Sequence, residues 1–275
     1  MTDETILQDV EDSGPAVPSG APIVRREVDG HVALLTMQLP PHNLLGERLV
    51  GELFACLDWV REVGARAVVL RSGLRHFSAG AEMEAFASHE RGEKPDLPLL
   101  ELLRAFDELP VPILASVNGI CVGGGLELAL ASDLVIAGET AKMGSVEAAV
   151  GLFPLMGAIQ RITQRAGAAR AKEMAMLARR YDARTLERWN LINRVVTDDQ
   201  LVPATLTLAH ELANGPTVAH AATKRLVSIA VAEGQRAADE QMGDVQLPIW
   251  ASEDLKAGIA SLNTNGPGYA RFQGK

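Results

Sequence analysis

The apolar positions of the chain follow two periods, and the alternation between them predicts strands and helices in turn. Short continuous apolar runs, typical of strands that are covered on both faces, occur three times in the first half of the sequence. Amphipathic stretches with helical spacing separate these runs. The predicted strands are 67–71, 113–117 and 133–137, and the predicted helices are 47–63, 97–109 and 126–132. A β-hairpin over 23–39, with an Asp-Gly turn, is predicted to precede them.

From about residue 166 the sequence is rich in alanine and mostly helical in period. The helices predicted there are 168–178, 183–188, 201–213, 218–235 and 252–261. Strands that alternate with helices, followed by a helical third, predict an α/β core with a helical appendage. We therefore divide the chain into a tail (1–22), a core (23–200) and a C-terminal helical region (201–275). Apolar positions of this region that look exposed, and that favour a homo-oligomer, are Ile229, Val231, Leu247 and Trp250.

Composition and charge exclude several classes of protein. Hydrophobic residues make up 47% of the chain and charged residues 22%, which is ordinary for a soluble globular protein. The formal net charge of −9 argues against binding to nucleic acid or to an anionic membrane, because both need a basic surface. The uncharged stretch 109–126 contains two prolines and four glycines, which argues against a membrane span.

The start of the chain and its cysteines bear on where the protein works. Residues 1–21 hold five acidic residues and no Lys or Arg, so 1–22 is predicted to be a disordered acidic tail and not a targeting signal. Two cysteines, Cys56 and Cys121, make neither a disulfide framework nor a zinc cluster, which predicts a reducing compartment such as the cytoplasm. The six histidines show no metal-binding spacing, so no metal is expected.

Two loops rich in small residues follow predicted strands and could bind an anion. The loop 118–125 ends in Gly123, Gly124 and Gly125 and leads into a helix, whose first N–H groups have no intrahelical acceptor. The loop 77–81 reads F-S-A-G-A. If the loops lie at neighbouring strand ends, each could offer one N–H group to the same oxygen, as an oxyanion hole requires. Packing alone is the alternative reason for both.

Two glutamates lie in apolar surroundings close to these loops. Glu127 belongs to the apolar run 126–130, and Glu147 lies in a second apolar stretch, 141–153. A glutamate in such a stretch is more often solvated or ion-paired than catalytic. Burial beside an oxyanion hole would raise the pKa of both carboxyls toward neutrality, as general acid–base catalysis needs. We therefore regard Glu127 and Glu147 as a candidate acid–base pair. The sequence contains no G-x-S-x-G motif, which argues against a serine hydrolase.

Three ordered motifs resemble the signatures of the crotonase family, which comprises enoyl-CoA hydratases and isomerases. They read R-H-F-S-A-G-A-E-M at 75–83, V-N-G-I-C-V-G-G-G-L-E-L-A-L-A-S-D at 117–133 and M-G-S-V-E-A-A-V-G-L-F-P at 143–154. The likeness extends more weakly from about Ile23 to Phe272. The resemblance implies an α/β fold built as a spiral of β-β-α units, with C-terminal helices that form trimers, often paired into hexamers.

The same resemblance implies roles for individual residues. The backbone N–H groups of Ala81 and Gly124 would bind the thioester oxygen, and the carbonyl of Ala79 would meet the adenine of coenzyme A. Glu127 would activate water, and Glu147 would deliver a proton to Cα. Further substrate contacts are expected from Phe77, Gly80, Gly123, Leu155 and Met156.

The implied activity is the addition of water across the 2,3 double bond of a trans-2-enoyl-CoA, with coenzyme A as part of the substrate and no separate cofactor. Positions 127 and 147 are 20 apart, which agrees with the hydratase arrangement. An enoyl-CoA isomerase on the same scaffold and a non-catalytic acyl-CoA-binding relative are the alternatives. Leu155 and Met156 stand where many relatives have small residues, so the preferred acyl chain is left open.

Overall fold

A computed structural model describes residues 20–82 and 98–275 of the chain. The tail predicted for 1–22 therefore lies outside the described residues, except for its last three. The strands are β1 (Val24–Asp29), β2 (Val32–Met37), β3 (Ala67–Ser72), β4 (Ile113–Val117), β5 (Ile120–Val122), β6 (Leu134–Gly138), β7 (Lys142–Gly144), β8 (Tyr181–Asp182) and β9 (Arg194–Val196). The α-helices are α1 (Glu47–Glu62), α2 (Leu99–Glu108), α3 (Gly124–Ala131), α4 (Ala158–Ala166), α5 (Ala168–Leu177), α6 (Ala183–Arg188), α7 (Leu201–Ala213), α8 (Thr217–Glu233), α9 (Gln235–Ala251) and α10 (Glu253–Asn265).

The main sheet has the strand order β1-β2-β3-β4-β6-β9. Strands β1 and β2 form the predicted antiparallel hairpin, and every later neighbour in the sheet is parallel. The predicted helices 47–63, 97–109 and 126–132 correspond to α1, α2 and α3, with ends that differ by up to two residues. The alternation of strands and helices in the first half of the sequence is thus confirmed.

Both faces of the main sheet are buried, which explains why its strands are continuously apolar. On one face, the paired residues Leu35, Leu70 and Ala115 belong to the main core, which they share with residues of α1, α2 and α3. On the other face, Leu34 and Val69 pack with residues of α7. Helix α7 therefore covers the core sheet, although the predicted division of the chain assigned it to the C-terminal region.

A second, smaller sheet has the order β5-β7-β8 and was not predicted from the sequence. Strand β5 lies inside the segment 118–125, so the prediction of a continuous loop there is wrong. Strands of two or three residues are too short to show an alternating pattern of apolar and polar residues. For this reason β5, β7, β8 and β9 were not predicted. This small sheet carries the candidate site, because β5 leads into α3 and β7 leads toward Glu147.

The C-terminal helices α8 and α9 pack against each other as a hairpin. Their shared apolar cluster contains Ile229, which is only 9% exposed, so the expectation that Ile229 faces outward is wrong. Val231, Leu247 and Trp250 are exposed by 49%, 61% and 65%, as expected. Helix α9 was missed because its sequence is polar and contains Pro248. Helix α4 was not predicted either.

Two further findings concern the described ranges as a whole. Within residues 20–82 and 98–275, no helix is both long enough and apolar enough to cross a membrane. Cys56 and Cys121 are both buried and carry free thiols.

Candidate active site

The two loops predicted to bind an anion lie side by side. The N–H group of Ser78 donates to the carbonyl of Ile120 at 3.2 Å, and the carbonyl of Ser78 accepts from the N–H group of Val122 at 3.1 Å. The first loop therefore runs parallel to β5. A Cβ atom built on Gly80 would lie 3.7 Å from the nitrogen of Gly124, so the loops meet where α3 begins.

Glycine is required at two positions of this junction because the backbone there is left-handed. Gly80 has φ 107°, and Gly123 has φ 55°. Residues with a Cβ atom rarely adopt such angles. A side chain at Gly80 would also come within 3.3 Å of the carbonyl oxygen of Val122. These two glycines therefore allow the loops to approach each other closely.

The backbone nitrogen atoms of Ala81 and Gly124 lie close to the point where the two loops meet. Ala81 forms a parallel bridge with Leu45, in which the carbonyl of Gly80 accepts from Leu45 at 2.8 Å and the N–H group of Glu82 donates to Leu45 at 3.1 Å. Leu45 bonds the residues on either side of Ala81, so the N–H group of Ala81 itself points away from Leu45. The Ala81 nitrogen lies 3.7 Å from a Cβ atom built on Gly124. Gly124 is the first residue of α3, so its N–H group has no intrahelical acceptor.

Glu127 lies in the first turn of α3 and is only 2% exposed. Its Oε1 atom accepts hydrogen bonds from the N–H groups of Met156 (2.8 Å) and Ala158 (3.0 Å). Burial raises the pKa of Glu127 from 4.5 to about 7; the charge of Glu147 also raises it, while the two amides and Arg161 lower it. A carboxyl group with this pKa can bind and release a proton near neutral pH.

Glu147 begins a 3-10 helix, Glu147–Val150, just after β7. The hydroxyl of Ser145 donates to its Oε2 atom at 2.7 Å, a partner that the sequence analysis did not assign. Its Oε1 atom is buried and receives no hydrogen bond from any residue in the described ranges. A Cβ atom built on Gly123 would lie 3.6 Å from this oxygen. Because buried polar atoms are normally bonded, this oxygen is well placed to bind a ligand.

The small sheet brings the two glutamates together. Strands β5 and β7 are parallel neighbours with Val122 opposite Gly144, and the N–H group of Gly123 donates to the carbonyl of Gly144 at 3.0 Å. Glu127 follows the C-terminal end of β5, and Glu147 follows the C-terminal end of β7. Because the strands are parallel, both glutamates lie at the same end of the small sheet. The influence of Glu147 on the pKa of Glu127 agrees with this proximity.

The remaining predicted substrate contacts lie in different environments. Ala79 is partly exposed on the first loop. Phe77 is completely buried in the main core, and its N–H group donates to the carbonyl of Asn118 at 3.0 Å, so the residue supports the loop and the expectation that it contacts the substrate is wrong. Leu155 is 48% exposed. Met156 is 2% exposed, and its Sδ atom lies 3.3 Å from a Cβ atom built on Gly124.

A buried asparagine that the sequence analysis did not single out holds the first loop in place. Asn43 accepts from the N–H group of Leu39 (2.8 Å) and donates to the hydroxyl of Ser72 (2.8 Å) and to the carbonyl of Phe77 (3.0 Å). The hydroxyl of Ser78 donates to the backbone carbonyl of Asn43 at 2.8 Å. Most of these partners are distant in sequence, so no local sequence pattern indicates the hydrogen bonds of Asn43.

The arrangement combines two kinds of chemistry. Two backbone N–H groups at the start of a helix can stabilise an oxygen that gains negative charge. Two carboxyl groups, one of them with a pKa near 7, can move a proton beside it. Among the residues that the structure describes, no group of three or more His, Cys, Asp or Glu side chains could hold a metal ion.

Comparisons with known proteins show the family to which the chain belongs. The family model for enoyl-CoA hydratase/isomerase matches residues 27–269. A probable enoyl-CoA hydratase of Rhizobium meliloti is 34% identical over 86% of this chain and 93% of its own length. The carnitinyl-CoA dehydratase of Citrobacter koseri is 33% identical over 75% of this chain and 82% of its own.

Solved structures show the same fold. The structure of enoyl-CoA hydratase subunit I from Geobacillus kaustophilus superposes on this chain with a TM-score of 0.84 at 30% identity. The match covers 92% of this chain and 99% of the Geobacillus chain. The α/β fold class predicted from the sequence, with helices at the C-terminal end, is thereby confirmed. The family model and the relatives each span most of the chain. The chain therefore belongs to the enoyl-CoA hydratase/isomerase family, the crotonase superfamily.

Proposed function

We propose that this protein is an enoyl-CoA hydratase, which adds water across the 2,3 double bond of a trans-2-enoyl-CoA thioester. One observation carries the proposal. Two glutamates lie beside one pair of backbone donors, and the hydrogen bonds that position each carboxyl group go to only one of its two oxygens. Glu127 is held by two amides, and Glu147 is held by one hydroxyl. An isomerase, which only moves a proton between carbons, needs one such carboxylate.

The backbone donors would act on the thioester carbonyl. When water adds to C3, negative charge moves onto the thioester oxygen. The N–H groups of Ala81 and Gly124, aided by the N-terminus of α3, would stabilise that charge. Removing one donor of this kind typically costs roughly 3–4 kcal/mol of transition-state stabilisation.

The glutamates would divide the proton transfers between them. Glu127, in its ionised form, would accept a proton from water, because its Oε1 atom is occupied by two amides and Oε2 is left for the water. Glu147, in its protonated form, would deliver a proton to C2. The chemistry requires that one carboxyl is ionised while its partner carries the proton that goes to C2. The reaction needs no cofactor besides the coenzyme A of the substrate.

The test is hydration by the purified protein. With a short trans-2-enoyl-CoA, the absorbance of the conjugated thioester should fall, and mass spectrometry should show one added water. Glu127→Gln and Glu147→Gln should each lower turnover severely, and the double variant should be scarcely slower, because residues that act as a unit are non-additive. Glu240→Gln, at an exposed position of α9, is the matched control and should be fully active.

Other outcomes identify other functions. Conversion of a 3-enoyl-CoA with one glutamate dispensable would indicate an isomerase. Binding of acyl-CoA without turnover would indicate a non-catalytic relative. Absorbance loss without added water, or full activity of either single variant, would refute the hydratase.

We also propose a homotrimer or a hexamer, acting in the cytoplasm. The support for self-association is the set of exposed apolar side chains on α8 and α9, which includes Val231, Leu247 and Trp250. Contiguous exposed apolar surface commonly marks a protein interface. The cytoplasm is proposed because both cysteines are free thiols, which suits a reducing compartment.

A further inference from the structure

An arginine outside the loops and the glutamates connects helix α4 to the end of helix α3. The Nη2 atom of Arg165 donates to the carbonyls of Leu130 and Ser132, both at 2.9 Å. Its Nη1 atom donates to the carbonyl of Leu191 at 3.2 Å. The last carbonyls of a helix have no intrahelical donor, so the guanidinium caps α3 at its C-terminal end.

The same two helices are joined at their other ends through Glu127. Glu127 lies in the first turn of α3, and its Oε1 atom binds the N–H groups of Met156 and Ala158. Ala158 is the first residue of α4, and Met156 lies in the turn before it. The two helices are therefore tied at both ends, by the candidate catalytic carboxylate at one and by Arg165 at the other.

Helix α4 packs against α5, but few of its own side chains are fully buried. The residues of this helix that are fully buried are Ala158 and Ile162. Burial of one isoleucine and one alanine stabilises the position of a helix only modestly. Arg161, also on α4, pairs with Asp107 at 3.0 Å, in a partly buried contact whose two side chains are 18% and 46% exposed. Arg165 therefore adds three hydrogen bonds to a helix with little buried apolar surface of its own.

We propose that Arg165 is a positioning residue for Glu127: by fixing α4 against the C-terminal carbonyls of α3, it keeps two N–H groups on the Glu127 carboxylate. It touches no reacting atom. Hydrogen bonds from amides favour the ionised form of a carboxyl group. If α4 loosens, the pKa of Glu127 should rise further, and a smaller fraction should be ionised at neutral pH. The inference rests on the proposed function only in giving Glu127 the role of base.

Other charged groups act on these two side chains. Glu147 raises the pKa of Glu127, and Arg161 lowers it. Arg165 experiences the charges of Arg161, Asp133 and Asp107. A change of charge at position 165 therefore has to be separated from a change of position, which Arg165→Lys achieves, because it keeps the charge but loses the planar guanidinium that reaches three carbonyls.

The experiment compares Arg165→Met, Arg165→Lys and a control on α5, Arg170→Met, which removes an ion pair with Glu173 and a stacking contact on the Trp189 ring. Carbon NMR of glutamate-labelled protein, assigned with Glu127→Gln, measures the pKa of Glu127 directly. Hydrogen exchange measures the protection of the Met156 and Ala158 amides. In Arg165→Met the pKa should rise, the two amides should exchange faster, and turnover near neutral pH should fall about three- to tenfold, with the acidic limb of the pH–rate profile shifted to higher pH. Arg165→Lys should recover part of each effect.

The outcomes separate this inference from the proposed function. Equal loss of turnover at every pH, with the pKa of Glu127 and both amides unchanged, would show that Arg165 is only a structural cap. If Arg165→Met does not fold, the same measurements on Arg165→Lys decide the question: an unchanged pKa and unchanged exchange overturn the proposal. If the wild-type protein hydrates no enoyl-CoA but the pKa of Glu127 still rises in the variant, the positioning role stands and the hydratase assignment fails.

Discussion

Replacing Glu127 by glutamine should stabilise the folded protein at alkaline pH while it removes the activity. The Glu127 side chain is almost completely buried, and burial raises its pKa from 4.5 to about 7. The folded protein therefore binds this proton more tightly than the unfolded chain does. Ionisation of Glu127 opposes folding for that reason.

The magnitude follows from the change in pKa. A rise from 4.5 to about 7, at about 1.4 kcal/mol for each unit of pKa, corresponds to roughly 3 kcal/mol. Below a pH of 4.5 the carboxyl is protonated in both states, and the penalty is absent. As the pH rises from there to about 7, the unfolded chain ionises first and the free energy of unfolding falls. Above this range the penalty is complete.

Glutamine keeps the shape of the side chain and an oxygen that can accept from Met156 and Ala158, but it carries no charge. We expect Glu127→Gln to raise the free energy of unfolding by about 3 kcal/mol near pH 8 and by less than about 1 kcal/mol near pH 5. Urea denaturation followed by circular dichroism measures both values. Protein concentration must be held constant, because self-association also stabilises the folded state.

The control is Glu240→Gln, whose side chain is 64% exposed and pairs with Arg236 on the surface of α9. Its stability should change by less than about 0.5 kcal/mol at either pH. A gain for Glu127→Gln that is no larger near pH 8 than near pH 5 would refute the argument. It would mean that Glu127 ionises as easily in the folded protein as in the unfolded chain.

Three further predictions follow from other parts of the molecule. Gly124→Pro should lower turnover by about a hundredfold or more, because it removes one N–H donor at the first helical position, where proline is well tolerated. Gly124→Ala keeps the donor but adds the same Cβ atom, 2.9 Å from Cδ1 of Leu45, so it should lose less, and the difference between the two variants measures the donor; equal losses would show that the added Cβ atom accounts for both. Lys224→Met should lower the free energy of unfolding by about 2–4 kcal/mol in urea titrations, because the buried Lys224 ammonium binds Asp133 at 2.8 Å, while Lys256→Met at an exposed pair should change it little. Light scattering at micromolar concentration should show a trimer or hexamer, since Trp250 and its apolar neighbours are exposed; a monomer would contradict this.

Local sequence patterns were enough for the main architecture. The strands of the core sheet are buried on both faces, so β3 and β4 are continuously apolar and could be predicted without any knowledge of their neighbours. The same holds for α1, whose buried residues recur at helical spacing. Glu127 and Glu147 were found through motifs of adjacent residues, which are likewise local.

Only the tertiary structure decided how the site is assembled. Strands β5 and β7 place both glutamates at one end of the small sheet. Each strand contains three residues, which is too short to show a hydrophobic period. The amides that hold Glu127 come from positions 29 and 31 residues further along the chain. Arg165 reaches carbonyls 33 and 35 residues earlier.

The reason for this division is physical. Hydrophobic periodicity records which residues face the core, and that depends on neighbours within a few positions of each other. A hydrogen bond between segments far apart in sequence depends on where the whole chain folds, and the residue types at its ends leave no periodic trace. The sequence therefore determined strands β1 to β4 and β6, the helices between them, and the identity of the two glutamates. Tertiary packing decided the pKa of Glu127 and the link through Arg165, and it left Oε1 of Glu147 without a hydrogen bond from the described part of the chain.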